Sequence, residues 1–124
     1  MEYHLVTLHV SDLEESLRFY RDLLGVPVAE AFGGGSGPRI AMLGQKGRPN
    51  VELIQTGRAV PEPRGQGVSV GFLTGDLDGL LSRIRAGSDA PITGPVSPNP
   101  HLRFYFVTDP DGYQVQLMEQ QDGQ

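Results

Sequence analysis

Residues 4–25, HLVTLHVSDLEESLRFYRDLLG, decide the fold of this chain, because they join a strand directly to a capped helix. The apolar residues of LVTLHV alternate with period two, which is typical of a strand with one buried face. Asp12 then caps a helix, and Glu15 three residues later completes a capping-box pattern. An apolar stripe predicts that this helix continues to Gly25, after which Pro27 prevents its return.

The same arrangement returns in residues 67–87, GVSVGFLTGDLDGLLSRIRAG, where Asp76 stands in the place of Asp12. Three short β-like runs follow the first copy (VPVAEAF, RIAML and NVELIQ), and three follow the second (PITGPV, HLRFYFV and YQVQLME). Between the last two runs, DPDG predicts a hairpin turn, because Pro110 presets φ and Gly112 suits the fourth turn position. Each half is therefore predicted to be β-α-β-β-β.

We predict one α+β domain over residues 1–124, built from two βαβββ modules at residues 1–55 and 67–120. Residues 56–66, TGRAVPEPRGQ, have two prolines, two glycines and no apolar period, so they are predicted to be a linker. Each module has a helix for one sheet face and no element for the other. Two modules side by side are therefore expected to form a cleft-shaped mixed sheet that receives a ligand.

The composition limits the classes of partner. A net charge of -5 argues against a nucleic-acid partner, because phosphate binding needs clustered Lys and Arg. The chain has no cysteine, which excludes a disulfide framework and suits a reducing compartment. No apolar run approaches the length of a membrane span. We therefore expect a cytoplasmic protein whose partner is a small molecule, with neither nucleic acid nor membrane bound.

Strand parity assigns side chains to the predicted cleft. His4 and His9 point to opposite faces of one strand, so they cannot chelate an ion together. Phe104 and Phe106 are assigned to the core, which leaves Tyr105 on the other face to stack against a ligand. The predicted substrate-binding residues are Thr7, His9, Glu52, Arg103, Tyr105, Gln114, Gln116 and Met118.

Glu52 and His101 are the candidate catalytic residues. Glu52 is flanked by Val51 and Leu53, so we expect partial desolvation that suits a general base or the pairing of a cationic ligand. The alternative is that Glu52 pairs with Arg103 and ties the sheets together. His101 lies in SPNPHLRF, where two X-Pro steps would stiffen a loop and hold His101 at the cleft rim. A solvated crossover loop is the equal alternative for that segment.

Four segments together resemble the vicinal oxygen chelate superfamily, which includes glyoxalase I and the bleomycin-resistance proteins: VTLHVSDLEESLRFYRDLLG, NVELI, VSVGFLTGDLDGLL and RFYFVTDPDGYQVQL. The resemblance implies the glyoxalase/bleomycin-resistance fold and a homodimer. It also implies a divalent ion held by the first and last strands of each module. Those ligand positions fall here on Leu5, Glu52, Ser69 and Gln116. Only Glu52 is a ligand of the usual kind, so no metal and no cofactor are expected.

The sequence leaves three functions open. The favoured one is a metal-independent small-molecule-binding protein that resembles the bleomycin-resistance-type sequestration proteins. The second is a glyoxalase-type lyase or isomerase, in which nickel, zinc, manganese or iron in a site rebuilt from Glu52, His9 and His101 polarises a substrate carbonyl. The third is a metal-free enzyme that uses Glu52 or His101 as its base. Whether the chain is an enzyme is thus undecided by its sequence.

Overall fold

The structure, a computed structural model, describes residues 1–60 and 65–121, so residues 61–64 of the predicted linker lie outside it. Contacts within the chain form two compact units, residues 1–62 and 63–124, which we call unit 1 and unit 2. Within the described ranges, no helix is both long enough and apolar enough to cross a membrane.

Unit 1 has the predicted β-α-β-β-β order. Its elements are β1 (Val6–His9), α1 (Leu13–Leu17), β2 (Val28–Phe32), β3 (Arg39–Gln45) and β4 (Arg48–Gln55). The strands lie in the order β1-β4-β3-β2. β1 runs parallel to β4, and the other neighbouring strands are antiparallel.

The helical segment of unit 1 changes character after its first turn. A π-helical stretch, Arg18–Leu23, follows α1, where the sequence predicts a regular helix. The Leu24 N–H donates to the carbonyl of Phe19, five residues earlier, at 2.9 Å. The wider turn holds one residue more than an α-helical turn. Within this stretch the adjacent Phe19 and Tyr20 are both buried and make an edge-to-face ring contact. The segment ends before Gly25, whose φ of 81° is the left-handed conformation that glycine adopts readily.

Unit 2 repeats the order of unit 1. Its elements are β5 (Ser69–Leu73), α2 (Leu77–Gly87), β6 (Ile92–Asn99), β7 (Leu102–Thr108) and β8 (Gln114–Gln120). The strand order is β5-β8-β7-β6, with β5 parallel to β8. β6 passes through Pro95, in the predicted run PITGPV, and continues through Pro98, in the segment that the sequence assigns to a loop. A proline is tolerated there because β6 is an edge strand, where a missing N–H breaks no ladder bond on the outer side.

Both helices begin at the predicted aspartate caps. The Asp12 carboxylate accepts the N–H groups of Glu14 at 3.0 Å and Glu15 at 3.3 Å. The Asp76 carboxylate accepts the N–H of Gly79 at 3.0 Å. Each cap satisfies donors that the first helical turn leaves without an intrahelical partner.

A side chain from the last strand of each unit also anchors the start of its helix. The Leu13 N–H donates to Gln55 Oε1 at 2.6 Å, and the Leu77 N–H donates to Glu119 Oε2 at 2.9 Å. Both bonds join residues 42 positions apart. The internal repeat seen in the sequence therefore extends to the hydrogen bonds that dock each helix on its sheet.

Each unit has a core between its helical segment and one face of its sheet. In unit 1 the buried residues include Leu8, Val10, Leu13, Leu17, Tyr20, Ala41, Leu43, Val51 and Leu53. In unit 2 they include Val70, Leu77, Leu80, Leu81, Ile84, Val107, Val115 and Leu117. Full burial of such an aliphatic side chain stabilises a fold by about 1.5–3 kcal/mol. The predicted alternation of β1, β4, β5 and β8 is confirmed, and it leaves the opposite face of each sheet for other side chains.

The DPDG turn forms the predicted hairpin between β7 and β8. The Gly112 N–H donates to the Asp109 carbonyl at 3.0 Å, with Gly112 at a φ of 96°. The buried Asp109 carboxylate accepts the N–H of Tyr113 at 2.8 Å. This turn sets Thr108 opposite Gln114, and with them the register of both strands.

Candidate functional site

We call the sheet face opposite the helix the open face of each unit. On the open face of unit 1, β1 places Thr7 beside Glu52 and His9 beside Ile54. β3 places Met42 on the other side of Glu52. The Thr7 hydroxyl donates to Glu52 Oε1 at 2.7 Å. The result is a half-buried carboxylate between a hydroxyl and a thioether, on a face with exposed His9 at its edge.

Among the described residues, Glu52 forms no ion pair with Arg103, the partner that the sequence left open. Thr7 is the hydrogen-bond donor to Glu52 among the described residues. Arg103 instead forms ion pairs with Asp78 and Glu119 in unit 2. A half-buried carboxylate with one neutral donor can accept a further hydrogen bond, pair with a cation or take a proton. Those are the chemical options that Glu52 offers to a small molecule.

Arg103 lies on the helix-covered face of unit 2, so its predicted place among the cleft residues was wrong. Its guanidinium bonds to Asp78 at 3.2 Å and to Glu119 at 3.0 Å. Asp78 and then Glu119 raise the pKa of Arg103 above its ordinary value. The physical reason for the placement is register, because β7 pairs Arg103 with Glu119 on the side that docks α2.

An aromatic platform lies on the open face of unit 2. Phe104 and Phe106 stand on this face, and β8 sets Met118 and Gln116 beside them. The two phenyl rings meet edge to face, with centroids 5.6 Å apart and planes at 87°. All four side chains are half-buried. We use "aromatic platform" for Phe104, Phe106, Gln116 and Met118.

The aromatic platform reverses two predictions for β7. Phe104 and Phe106 were assigned to the core, and Tyr105 to the face that meets a ligand. Tyr105 instead pairs with the buried Leu117 on the helix-covered face. Both faces of β7 carry aromatic residues, so alternation alone could not choose between them. The DPDG hairpin contained the missing signal, because pairing Thr108 with Gln114 puts Phe106 opposite Gln116.

Other side chains on the open face of unit 2 surround the aromatic platform. Gln114 Nε2 donates to Thr108 Oγ1 at 3.0 Å. Leu73 on β5 stands beside Met118, and Val96 on β6 stands opposite Phe104. Leu73 is 60% exposed and Val96 is 40% exposed. The face therefore combines apolar groups with amide and hydroxyl groups that hydrogen-bond in either direction.

His101 lies away from the aromatic platform, in the turn between β6 and β7. Its side chain is exposed, its N–H donates to Asn99 Oδ1 at 2.8 Å, and its carbonyl accepts the N–H of Gln121 at 2.7 Å. This turn is at the opposite end of β7 from Thr108. A catalytic role for His101 stays a prediction, and the structure places no platform residue in that turn.

The four positions at which family resemblance implies metal ligands differ in their donor groups. Glu52 offers a carboxylate, Ser69 a hydroxyl and Gln116 an amide, whereas Leu5 has no donor atom in its side chain. Within the described parts of the chain, no group of three or more His, Asp or Glu side chains is placed to hold a metal ion.

A family model described as the Glyoxalase/Bleomycin resistance protein/Dioxygenase superfamily matches residues 3–117. The match covers the strands and helices of both units, up to the middle of β8. This chain therefore belongs to that superfamily, as its sequence motifs indicate.

Solved structures share this fold over nearly their whole length. TnmS3, an antibiotic binding protein from a Streptomyces species, is 24% identical, with 97% of this chain and 96% of that chain covered and a TM-score of 0.70. The trypanothione-dependent glyoxalase I of Leishmania major is 23% identical, with 96% and 86% covered and a TM-score of 0.73. A glyoxalase family protein from Bacillus cereus is 18% identical, with 98% and 95% covered and a TM-score of 0.80. No curated protein sequence matches the chain significantly.

Proposed function

We propose that this protein binds a small aromatic molecule reversibly and releases it unchanged, as a sequestration protein of the bleomycin-resistance type. The observation that carries this proposal is the aromatic platform on the open face of unit 2. The buried core of unit 2 is on the other side of the sheet, and these two half-buried phenylalanines are not part of it. Half-exposed aromatic side chains grouped with amides are typical of a surface that receives a ligand.

The chemistry of the aromatic platform suits a planar ligand with polar edges. A ring packed on Phe104 and Phe106 would add about 0.5–1.5 kcal/mol to its area burial through aromatic contact. The flexible thioether of Met118 adapts to ligands of different shape. The Gln116 amide can donate and accept hydrogen bonds, so it would orient the polar edge of such a ligand. The likeness to an antibiotic binding protein supports a small-molecule ligand.

We propose further that the function is independent of a metal ion. A divalent transition metal at a catalytic site takes three or more histidine, carboxylate or thiolate ligands. The donor set at Leu5, Glu52, Ser69 and Gln116 contains one such group, so it does not fit that chemistry. Elemental analysis of the purified chain, with and without added nickel, zinc, manganese or iron, tests this. One tightly held ion per chain would overturn metal independence.

Ligand-dependent thermal stabilisation is the experiment for the proposed function. A panel of planar aromatic compounds, neutral and cationic, should contain members that raise the melting temperature at ligand concentrations above their Kd. The bound compound should be recovered unchanged after long incubation, as followed by mass spectrometry. A panel in which no member raises the melting temperature would remove the support for sequestration.

Two variants of β7 locate the binding surface. Phe106→Ala removes a ring of the aromatic platform and should weaken the best ligand about tenfold. Tyr105→Phe is the control, because it alters the opposite face and should leave affinity unchanged within about twofold. A larger loss in the control than in Phe106→Ala would place the ligand elsewhere.

Glu52 favours a second candidate function, an enzyme of the glyoxalase class or a metal-free proton-transfer enzyme. Its half-buried carboxylate, bonded to Thr7 at 2.7 Å, is placed on an open face and could move a proton. Glu52→Gln keeps the shape and the acceptor oxygen and removes the charge. If the wild-type protein converts a small carbonyl substrate and Glu52→Gln abolishes turnover without weakening binding, the enzyme is the correct function. The metal content of the active protein then distinguishes a metal-dependent glyoxalase-type enzyme from a metal-free one.

We also propose that the chain forms a homodimer. Several large apolar side chains are exposed on the described surface, among them Phe32, Val68 and Leu73. Contacts between copies would remove such surface from water. Light scattering coupled to gel filtration should give twice the chain mass of 13.4 kDa. A single-chain mass at high concentration would contradict the dimer.

A further inference from the structure

A second site of recognition is built into unit 1, where the carboxyl ends of β1 and β4 meet. These strands are parallel, and the Val10 N–H donates to the Ile54 carbonyl at 2.9 Å just as both strands end. The chain beyond β4 and the loop between β2 and β3 wall in a pocket of about 490 Å³ there. That volume falls within the range of about 300–1,000 Å³ that is usual for small-molecule sites.

The local chain geometry places an arginine on this pocket. The Thr56 hydroxyl accepts the N–H of Arg58 at 3.3 Å, and the intervening Gly57 has a φ of 83°. A left-handed residue turns the chain sharply, and glycine adopts that conformation without strain. The turn brings Arg58 into the pocket wall and leads on to Val60, whose side chain is buried.

The wall of the pocket combines apolar side chains with polar groups that can donate hydrogen bonds. Val10, Ile54 and Val60 supply alkyl surface to its wall, while Arg58 and His9 supply nitrogen groups. The hydroxyls of Thr56 and Ser36 also line it. Nitrogen and hydroxyl donors around alkyl surface match a ligand with one anionic end and one apolar body.

The charge of Arg58 is not neutralised within the described part of the chain. Arg39 on β3 pairs with Glu14 at 2.7 Å, and Arg103 pairs with Asp78 and Glu119. No carboxylate among the described residues forms such a pair with Arg58. A guanidinium is a planar fork of donors that matches the two oxygens of a carboxylate.

We propose that this pocket of unit 1 binds a small organic carboxylate, with its carboxylate on Arg58 and its apolar body against Ile54 and Val60. The protein as a whole carries a net charge of -5, so an anion is held by local donors and not by the overall field. The pocket shares no residue with the aromatic platform, so either proposal can fail without the other.

The test uses the full chain and 2-naphthoate as the probe, followed by ¹H–¹⁵N NMR. 2-Naphthoate should shift the amide signals of Ile54, Thr56 and Val60 and bind with a Kd of about 1 mM or tighter. The neutral isostere 2-naphthamide should bind at least about tenfold more weakly, because a charged hydrogen bond is lost. Equal affinity for the two probes, or shifts confined to unit 2, would overturn the proposal.

Two arginine variants with the same change of net charge complete the test. Arg58→Gln should weaken 2-naphthoate about tenfold or more and leave 2-naphthamide unchanged. Arg48→Gln is the matched control, since Arg48 is exposed on β4 and does not line the pocket. It should change both affinities by less than about twofold. Equal losses in the two variants would mean general electrostatic attraction and would overturn the site.

Inorganic phosphate at matched ionic strength separates a carboxylate site from a general anion site. We expect phosphate to leave the Ile54 and Val60 signals in place, because it has no apolar body. If phosphate shifts these signals and displaces 2-naphthoate with similar affinity, the assignment to an organic carboxylate is wrong.

Discussion

The two units of this protein share their buried side and differ on their open side. In both units an aspartate caps the start of the helix. The N–H of the residue after it donates to a side chain of the last strand, 42 positions further along the chain. On the open face, unit 1 carries the Thr7–Glu52 hydrogen bond, whereas unit 2 carries the Phe104–Phe106 pair. Docking a helix on a sheet therefore constrains one face of the sheet, while the other face is free to take different chemistry.

On the helix-covered face of each unit, a strand arginine pairs with a carboxylate of the helix, and in unit 2 the arginine also pairs with a second carboxylate. Arg39 bonds to Glu14 in unit 1 at 2.7 Å, and Arg103 bonds to Asp78 in unit 2 at 3.2 Å. In unit 2 the anchoring residue is the charged Glu119, which also bonds to Arg103 at 3.0 Å. Unit 1 has the neutral Gln55 in the anchoring role. In unit 2, Glu119 therefore both accepts the hydrogen bond from the helix and pairs with Arg103.

The largest effect should come from the shared cores. Leu53 on β4 and Leu117 on β8 are 0% and 1% exposed. Truncation to alanine loses transfer free energy and leaves a cavity, so Leu53→Ala and Leu117→Ala should each lower the free energy of unfolding by about 2–5 kcal/mol. Urea denaturation measures both, with the exposed Ser82→Ala as the control. A loss below about 1 kcal/mol in one variant would show that the two cores are not equivalent.

A swap of the anchoring residues should have the next largest effect. Glu119→Gln keeps an acceptor for the Leu77 N–H and removes one charge from Arg103, so we expect a loss of about 1–2 kcal/mol. Gln55→Glu in unit 1 places a carboxylate on the strand beside Arg39. It should change stability by less than about 1 kcal/mol, because Arg39 and Glu14 are well exposed. Unchanged stability of Glu119→Gln in chemical denaturation would show that Glu119 acts only as an anchor.

The two helix caps should contribute similar, smaller amounts. Asp12→Ala and Asp76→Ala should each lower the free energy of unfolding by about 1 kcal/mol, because backbone donors lose their acceptor. Asp12→Asn and Asp76→Asn are the controls, since asparagine is an equally good cap, and they should stay near wild type. Thermal denaturation compares the four variants. A cap whose Ala and Asn variants are equally destabilised would owe its effect to charge and not to hydrogen bonding.

The open face of unit 1 should show the smallest effect on stability. Thr7→Val removes the hydroxyl that donates to Glu52 and keeps the shape of the side chain. Because this hydrogen bond is exposed, we expect a loss of only about 0.5 kcal/mol. Thr93→Val on the edge strand β6 of unit 2 is the control for the same change at an exposed site. Should the two variants lose equal stability in chemical denaturation, the Thr7–Glu52 bond would have no measurable weight.

The sequence predicted the repeated topology because its signals are local. The caps at Asp12 and Asp76 and the DPDG turn depend on residues a few positions apart, and all three are confirmed. The open-face positions on β1, β4, β5 and β8 followed from the alternation of buried residues. Placing Glu52 with Thr7 on one face was thus predictable, although the hydrogen bond between them was not.

The side-chain placements that were wrong concern one strand, β7, with two plausible faces. In LRFYFVT, Phe104 and Phe106 alternate with Arg103 and Tyr105, so hydrophobicity did not distinguish the faces. The ion pairs of Arg103 and the burial of Leu117 decided in favour of Tyr105 on the helix side. The π-helical stretch after α1, in which Phe19 and Tyr20 are both buried, was also unpredicted, because the apolar pattern there is that of a regular helix.

The order of strands and helices, the start of each helix and the buried residues of most strands can all be predicted from local patterns in the sequence. These properties arise from interactions between residues close along the chain and from the period of the hydrophobic pattern. Three features required the folded structure: the open face of β7, the carboxylates that hold Arg103, and the pocket that Arg58 and His9 line together. Those contacts join residues far apart in sequence, so they depend on strand register and packing that no local pattern specifies.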